Sequence, residues 1–248
     1  MGYEFLSRIR YSEVDQNERL SIDHLADYFQ DCTIYHDDSV GMGLGYWHER
    51  GAMWVTTSWK ILFFDMPHCC DYVKVRTDAI NCRGFVGIRN FTLRAAESGK
   101  MLAAAFAKFA LLDAKTGQPV RIRPEEGKAY GKNEPIPMEE EKQHIVLPDD
   151  AEVKEVITVG IHHLDPNHHV NNVQYIVMAM RYLPEGFVPK MMRFSYHRSA
   201  LLGDVMIPKI AYRDHEVTGM FLREDGEMYA VFRFTDELTE QDAKVASL

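Results

Sequence analysis

The chain lacks several features that would classify it at once. It has no run of the ~18 to 20 consecutive apolar residues that a membrane span needs, and the opening MGYEFLSRIRYSEVD turns polar before a signal-peptide core can form. A soluble, cytoplasmic setting is the expectation. Cysteine is scarce, with four residues in 248 (Cys32, Cys69, Cys70, Cys82), none at C-x-x-C spacing, and the adjacent pair is poorly placed for a disulfide or a tetrahedral metal. They read as reduced core or surface thiols. A basic surplus is missing too: 28 basic against 37 acidic residues leave a net charge of −9, so neither a nucleic-acid nor a membrane partner is expected.

What the chain does have is enough apolar residue, 46%, for a sizeable core, and an uneven distribution of charge. Between Pro124 and Glu152 nine acids face three lysines, and Pro124, Pro135, Pro137 and Pro148 interrupt any helix or central strand. With the run Glu139-Glu140-Glu141, this reads as a linker over 124–152. It separates a unit at 1–123 from one at 153–248.

The two units repeat each other. Val14-Asp15-Gln16-Asn17-Glu18-Arg19-Leu20 lies 150 residues before Leu164-Asp165-Pro166-Asn167-His168-His169-Val170, with apolar, Asp, Asn, basic-type and apolar positions in the same order. A helical pattern follows each: Leu25, Ala26, Phe29 and Cys32 in the first, Val173, Ile176, Val177 and Met180 in the second. Strand-like runs recur as Trp59 to Phe63 with Asp71 and Met192 to Tyr196 with Asp204. Turn glycines follow in Glu97-Ser98-Gly99-Lys100-Met101 and Glu224-Asp225-Gly226-Glu227-Met228, before final strands at Met101 to Leu112 and Met228 to Thr235. The order in each unit is a short strand, a turn, one helix and several antiparallel strands. That is an α+β arrangement in which sheet and helix must bury each other.

Asp165-Pro166-Asn167-His168-His169-Val170-Asn171-Asn172-Val173-Gln174-Tyr175 resembles the signature of the acyl-(acyl carrier protein) thioesterases, Asp-x-Asn-x-His-Val-Asn-Asn followed by x-x-Tyr. Leu111 to Val120 is similar to that family's end of the first domain, and Arg89-Asn90-Phe91 to its preceding strand. The resemblance runs from about Tyr3 to Phe234. It implies a tandem (double) hot-dog, two antiparallel sheets each wrapped around one long helix. It also implies that the first unit holds the acyl chain while the second carries the catalytic loop, with acyl carrier protein bearing an acyl-phosphopantetheine as partner.

Thioester hydrolysis needs an activated water and an oxyanion site more than a strong acid, because the leaving thiol has a pKa of ~8.5. A carboxylate, an amide and an imidazole suffice. Side-chain chemistry and the resemblance together assign Asp165 as base or water-orienting group, Asn167 as positioner, and His169 as donor and proton carrier, with free N–H groups of the helix after Val170 polarising the carbonyl. The first unit keeps Asp15 and Asn17 but has Arg19 at the imidazole position, which cannot shuttle a proton near neutral pH. Its Asp and Asn read as helix caps.

No metal and no cofactor is called for, since His162, His163, His168 and His169 lack helical ligand spacing. His162, His163 and His168 read as loop or surface residues. Trp54, Trp59, Phe63 and Phe64 read as core. Plant members carry a Glu-Cys pair after the strand at Met192 to Tyr196, where this chain has Ser199-Ala200. A cysteine nucleophile is thereby excluded, and Ser199 takes the site position of the family Glu. The residues leave open a non-catalytic acyl-thioester binder, an acyl-coenzyme A thioesterase, an enoyl hydratase, and self-association as a homodimer. Arg181, Lys190, Arg193 and Arg198 against Glu185 form a local basic run suited to an acidic carrier.

Overall fold

The computed structural model describes residues 2–139 and 144–248. Glu140 and Glu141 of the acidic run lie outside the described residues. Two compact units emerge, one formed by Met1–Thr57, Ile61–Met138 and Glu240–Leu248, the other by Ser58–Lys60 and Glu139–Thr239.

The first unit contains β1 (Tyr3–Arg8), α1 (Ile22–Ser39), α2 (Leu44–Arg50), β2 (Ala52–Phe63), β3 (Tyr72–Arg83), β4 (Val86–Ala95), β5 (Met101–Asp113) and α3 (Pro124–Ala129). Its strands lie in the order β1-β3-β4-β5-β2. α1 buries Leu25, Ala26, Phe29 and Cys32, the residues at three and four spacing, and Phe29 meets Phe91 of β4 with ring centroids 5.2 Å apart. Each such large apolar side chain removed from water contributes about 1.5–3 kcal/mol. The alanines of β5, good helix formers in isolation, are fully buried at Ala103, Ala104, Ala105 and Ala107. Ladder pairing with β4 and burial on both faces override the local preference.

In the second unit are β6 (Glu152–Val153), β7 (Ile157–Thr158), α4 (Asn172–Met180), β8 (Met191–Tyr196), β9 (Val205–Arg213), β10 (Glu216–Leu222) and β11 (Met228–Thr235). The order is β8-β11-β10-β9-β6, with β7 also on β9. α4 has nine residues against eighteen in α1. Pro184, four residues on, bars further winding of the chain as helix. Its buried face is Val173, Tyr175, Ile176, Met178 and Ala179, so the expected Val177 and Met180 are displaced to half-buried positions. Tyr175 reaches the sheet, with ring contacts to Tyr196 at 5.6 Å and Phe221 at 6.2 Å.

The stretch read as linker does not exclude helix. Pro124 opens α3, where its missing N–H costs nothing, and Glu126 accepts from the backbone N–H of Arg123 at 2.7 Å. Glu126 and Tyr130 are both 1% exposed, so the segment packs on the first unit rather than hanging free. The final residues do likewise: α5 (Glu240–Lys244) and the turn Val245–Ser247 cluster with β5, although the sequence grouped them with the second half. Trp59 and Phe63 are core, while Trp54 and Phe64 are half-buried. Among the described residues no helix is long and apolar enough to cross a membrane.

One packing detail separates the cores. Phe91 of β4 faces Ala105 of β5, and at the equivalent rung Gly219 of β10 faces Phe232 of β11. A Cβ on Gly219 would lie 2.2 Å from the Phe232 ring, so the small residue is required where its partner is large.

Candidate active site

The second unit's loop enters through a single 3-10 turn, Ile161–His163, whose Gly160 N–H donates to Nδ1 of His163 at 3.0 Å. Of the two readings, loop or surface, His163 takes the first: it lies on the loop and is only 6% exposed. Burial lowers its pKa, and the accepting Nδ1 requires that nitrogen to be unprotonated.

Leu164 and Val170 then bridge, and between them the Asp165 N–H donates to the His169 carbonyl at 2.8 Å and the His168 N–H to the Asp165 carbonyl at 3.0 Å. His168 takes φ +62° to close the turn. Asp165 Oδ1 accepts from the N–H groups of Asn167 at 2.8 Å and His169 at 3.2 Å, while its Oδ2 faces Asn167 Nδ2 at 3.4 Å. The carboxylate therefore knits the turn as well as facing it. Asn167 is exposed, and Asp165 and His169 are half-buried. The chain leaves as Val170 N–H donates to Ala200 C=O at 2.9 Å, and Asn171 caps α4 by accepting from Val173 N–H at 2.9 Å.

The free helix N–H groups expected as an oxyanion site are largely engaged. Val170, Asn171, Val173 and Gln174 already donate to Ala200, His163, the Asn171 side chain and the Asn171 carbonyl. Beside them the loop presents two side chains able to donate, the exposed Asn167 amide and the half-buried His169 ring.

The first unit reproduces the backbone bonds of this turn. Asp15 N–H reaches Arg19 C=O at 2.8 Å, Glu18 N–H reaches Asp15 C=O at 3.0 Å, and Asp15 Oδ1 takes the N–H groups of Asn17 and Arg19 at 2.8 and 3.1 Å. Glu18 has φ +61°, Leu20 N–H bonds Pro67 C=O at 2.9 Å, and Glu13 replaces His163 in receiving the turn's N–H, from Arg10 at 2.8 Å. Arg19 Nη1 donates to Asp65 Oδ1 at 3.0 Å and to Met66 C=O at 2.8 Å. Counted from the shared Pro67/Ala200 anchor, Asp65 and Met66 hold the places of Arg198 and Ser199. In the first unit, then, the side chain at the place of His169 reaches the residues at the places of Arg198 and Ser199; Ser199 itself is exposed and follows β8 by three residues.

Sequence reasoning missed what secures that segment. Ala200 N–H donates to the Tyr175 hydroxyl at 3.0 Å, Leu201 N–H to Asp204 Oδ2 at 2.9 Å, and the Tyr229 hydroxyl to the same oxygen at 3.0 Å. The Tyr196 hydroxyl donates to Asn172 C=O at 3.0 Å. Tyr175 belongs to the quoted motif, so its spacing was a signal; Tyr196 and Tyr229 carried none.

The first unit has a partly open cavity of about 20 Å³, room for one water, beside Trp54, Thr33, Asn81 and Phe109. Its floor is ionic: Arg89 donates to Asp37 Oδ1 and to His36 Nδ1, both at 2.7 Å. Burial pushes the Asp37 carboxyl up to about 6 against the pull of Arg89.

Comparison with known proteins gives a consistent picture. The sequence model for the acyl-ACP thioesterase N-terminal domain matches residues 3–130. A chloroplastic palmitoyl-acyl carrier protein thioesterase of Gossypium hirsutum is 27% identical over 190 residues, which cover 71% of this chain and 46% of that protein; the chain spans about half the length of the curated relatives it matches. Among solved structures, an acyl-ACP thioesterase from Bacteroides thetaiotaomicron superposes with TM-score 0.84 at 20% identity, covering 94% of this chain and 97% of that one. The 12:0-ACP thioesterase from Umbellularia californica gives TM-score 0.84 at 21% identity, covering 94% and 93%. The fold is the tandem hot-dog, and with more than half of its residues under the family's own pattern the chain belongs to the acyl-ACP thioesterase family.

Proposed function

We propose that the chain hydrolyses the thioester of a fatty acyl chain carried on acyl carrier protein, releasing the free fatty acid, and that the chemistry resides on the Asp165–His169 loop. The observation that carries this reading is the imidazole: in a loop otherwise duplicated in every backbone bond, His169 stands where the first unit has a permanently charged Arg19.

The steps balance with water as the nucleophile. His169 takes a proton from water as its oxygen attacks the thioester carbon, Asn167 Nδ2 donates to the oxyanion, and collapse breaks the C–S bond. The proton held on His169 passes to the departing thiolate. Asp165 orients the turn through Oδ1 and offers Oδ2 to the water. Ser199 holds a water at the loop rather than attacking, since it lacks the sharp G-x-S-x-G turn of a serine nucleophile. The setting is the cytoplasm, where soluble carrier is loaded.

Carrier docking falls to Arg181 and Lys190. Arg198 is paired with Glu227, and Arg193 is also engaged, whereas Arg181 and Lys190 have no ion pair among the described residues. A chain-length panel on acyl carrier protein and on coenzyme A, with free thiol and free acid both measured, tests the reading. Release of thiol and acid in equal amounts, faster from the carrier, is the expected result. Binding without turnover would favour the non-catalytic binder, and a hydroxyacyl product the hydratase.

A further inference from the structure

The two units differ systematically at three positions around the loop. Counted through the bonds they share, Tyr175 of the second unit stands where the first has Leu25. Tyr196 stands where it has Phe63, and Tyr229 where it has Leu102: the N–H groups of His197 and Arg198 reach the Tyr229 carbonyl as those of Phe64 and Asp65 reach that of Leu102. All three first-unit residues are buried hydrocarbon. All three hydroxyls of the second unit are spent on the loop and the segment facing it: on Ala200 N–H, on Asn172 C=O and on Asp204.

The change at Tyr175 is matched by one in its partner. Ala200 is fully buried and has an N–H that must be satisfied, and Tyr175 satisfies it. The first unit has Pro67 at that place, with no N–H to satisfy, and Leu25 opposite with no oxygen. Donor and acceptor are present together in the unit with the imidazole and absent together in the other. Packing alone does not call for the hydroxyls, since Leu, Phe and Leu fill the same sites in the same fold.

We infer that the Tyr175, Tyr196 and Tyr229 hydroxyls form a positioning frame for the reaction, holding the Ser199–Ala200 segment and the start of α4 in fixed register with His169. This rests on the hydrolase reading above. None of the three touches the reacting atoms. Desolvation raises the pKa of each phenol, to about 12 for Tyr229, so all remain protonated donors or neutral acceptors throughout the working pH range. A fixed register matters because an ångström of misplacement at a reacting group costs on the order of 100-fold in rate.

The test uses Tyr→Phe variants, which keep ring and volume. Tyr175→Phe should lower kcat about tenfold or more with KM little changed, and should speed hydrogen exchange at the Ala200 amide. Tyr196→Phe and Tyr229→Phe should act on kcat in the same direction. Ala200→Pro combined with Tyr175→Phe removes the stranded N–H as the first unit does, and should return kcat to within a few-fold of wild type. Wild-type kcat in all three Tyr→Phe variants, while His169→Ala is inactive, would overturn this inference and leave the hydrolase reading standing. Failure of Ala200→Pro to rescue Tyr175→Phe would overturn positioning through that bond. Absence of turnover in the wild-type chain would overturn the hydrolase reading, and this inference with it.

Discussion

The loops at residues 10–21 and 160–171 have the same turn, the same bonds from backbone N–H groups to the aspartate and a positive φ at the same position, yet only one has an imidazole at its exit. The shared part is what it takes to build the loop: Asp and Asn pairing with backbone groups that would otherwise go unsatisfied. Only the remainder is available for chemistry. Asp15 keeps every backbone bond of Asp165 in a unit with no proton carrier, so holding the turn is enough to explain an aspartate there. The water-orienting role proposed for Asp165 comes on top of that structural one.

The largest effect expected from breaking the comparison is at His169. His169→Ala should cost ~10² to 10⁴ in turnover with the unfolding midpoint unchanged, measured by thiol release on carrier substrate. Next come the two aspartates. Asp165→Asn keeps an oxygen for the Asn167 and His169 N–H groups, so it should fold normally and still lose ~10² in rate. Asp15→Ala should leave turnover alone and cost about 1–2 kcal/mol of stability, the usual loss for a backbone-capping side chain. Asp165→Asn with wild-type activity would reduce Asp165 to the role of Asp15.

Ser199→Ala should change kcat by less than about tenfold, with no acyl group trapped on the protein by mass spectrometry. A covalent adduct at Ser199 would replace the water mechanism with a nucleophilic one.

The smallest effect lies on the helices. Asp27 of α1 occupies the place of Val177 in α4, and burial, reinforced by Asp23, Asp31 and Glu13, raises its carboxyl to about 6. Since the folded pKa lies above the unfolded value, the folded state holds the proton longer. The stability Asp27 contributes is fully present below about pH 4 and is lost as the pH rises through 6. Asp27→Asn should therefore be neutral at pH 4 and stabilise by about 1 kcal/mol at pH 7, after allowing for its half exposure, in denaturant titrations at both pH values.

The repeat was legible because it rests on residues with few substitutes: the Asp and Asn of the turn and the glycines at Gly99 and Gly226, both at positive φ. The alternating strands and the helix face at Leu25, Ala26, Phe29 and Cys32 were legible for the same reason, a strong period. α3 was not, since Pro124 was read as a breaker when its place at the first helical position makes it a starter. The phase of α4 was blurred because an apolar helix of nine residues is hydrophobic nearly all round, so periodicity selects no face. The burial of His163 on its loop was not legible because its partner is a backbone N–H three residues back. The tyrosine hydrogen bonds span 24 or 25 residues, and no local pattern encodes them.

The exchanged rung, Phe91 over Ala105 in one unit and Gly219 with Phe232 in the other, also says something about history and engineering. If one ancestral hairpin was copied, the bulky ring has since crossed from one strand to its neighbour, and neither single step is neutral: one leaves a hole, the other forces two rings into one space. The halves can therefore no longer trade residues one at a time. A chimera that borrows β10 for β4 alone should misfold, whereas one that transplants both strands of the hairpin keeps ring and gap together.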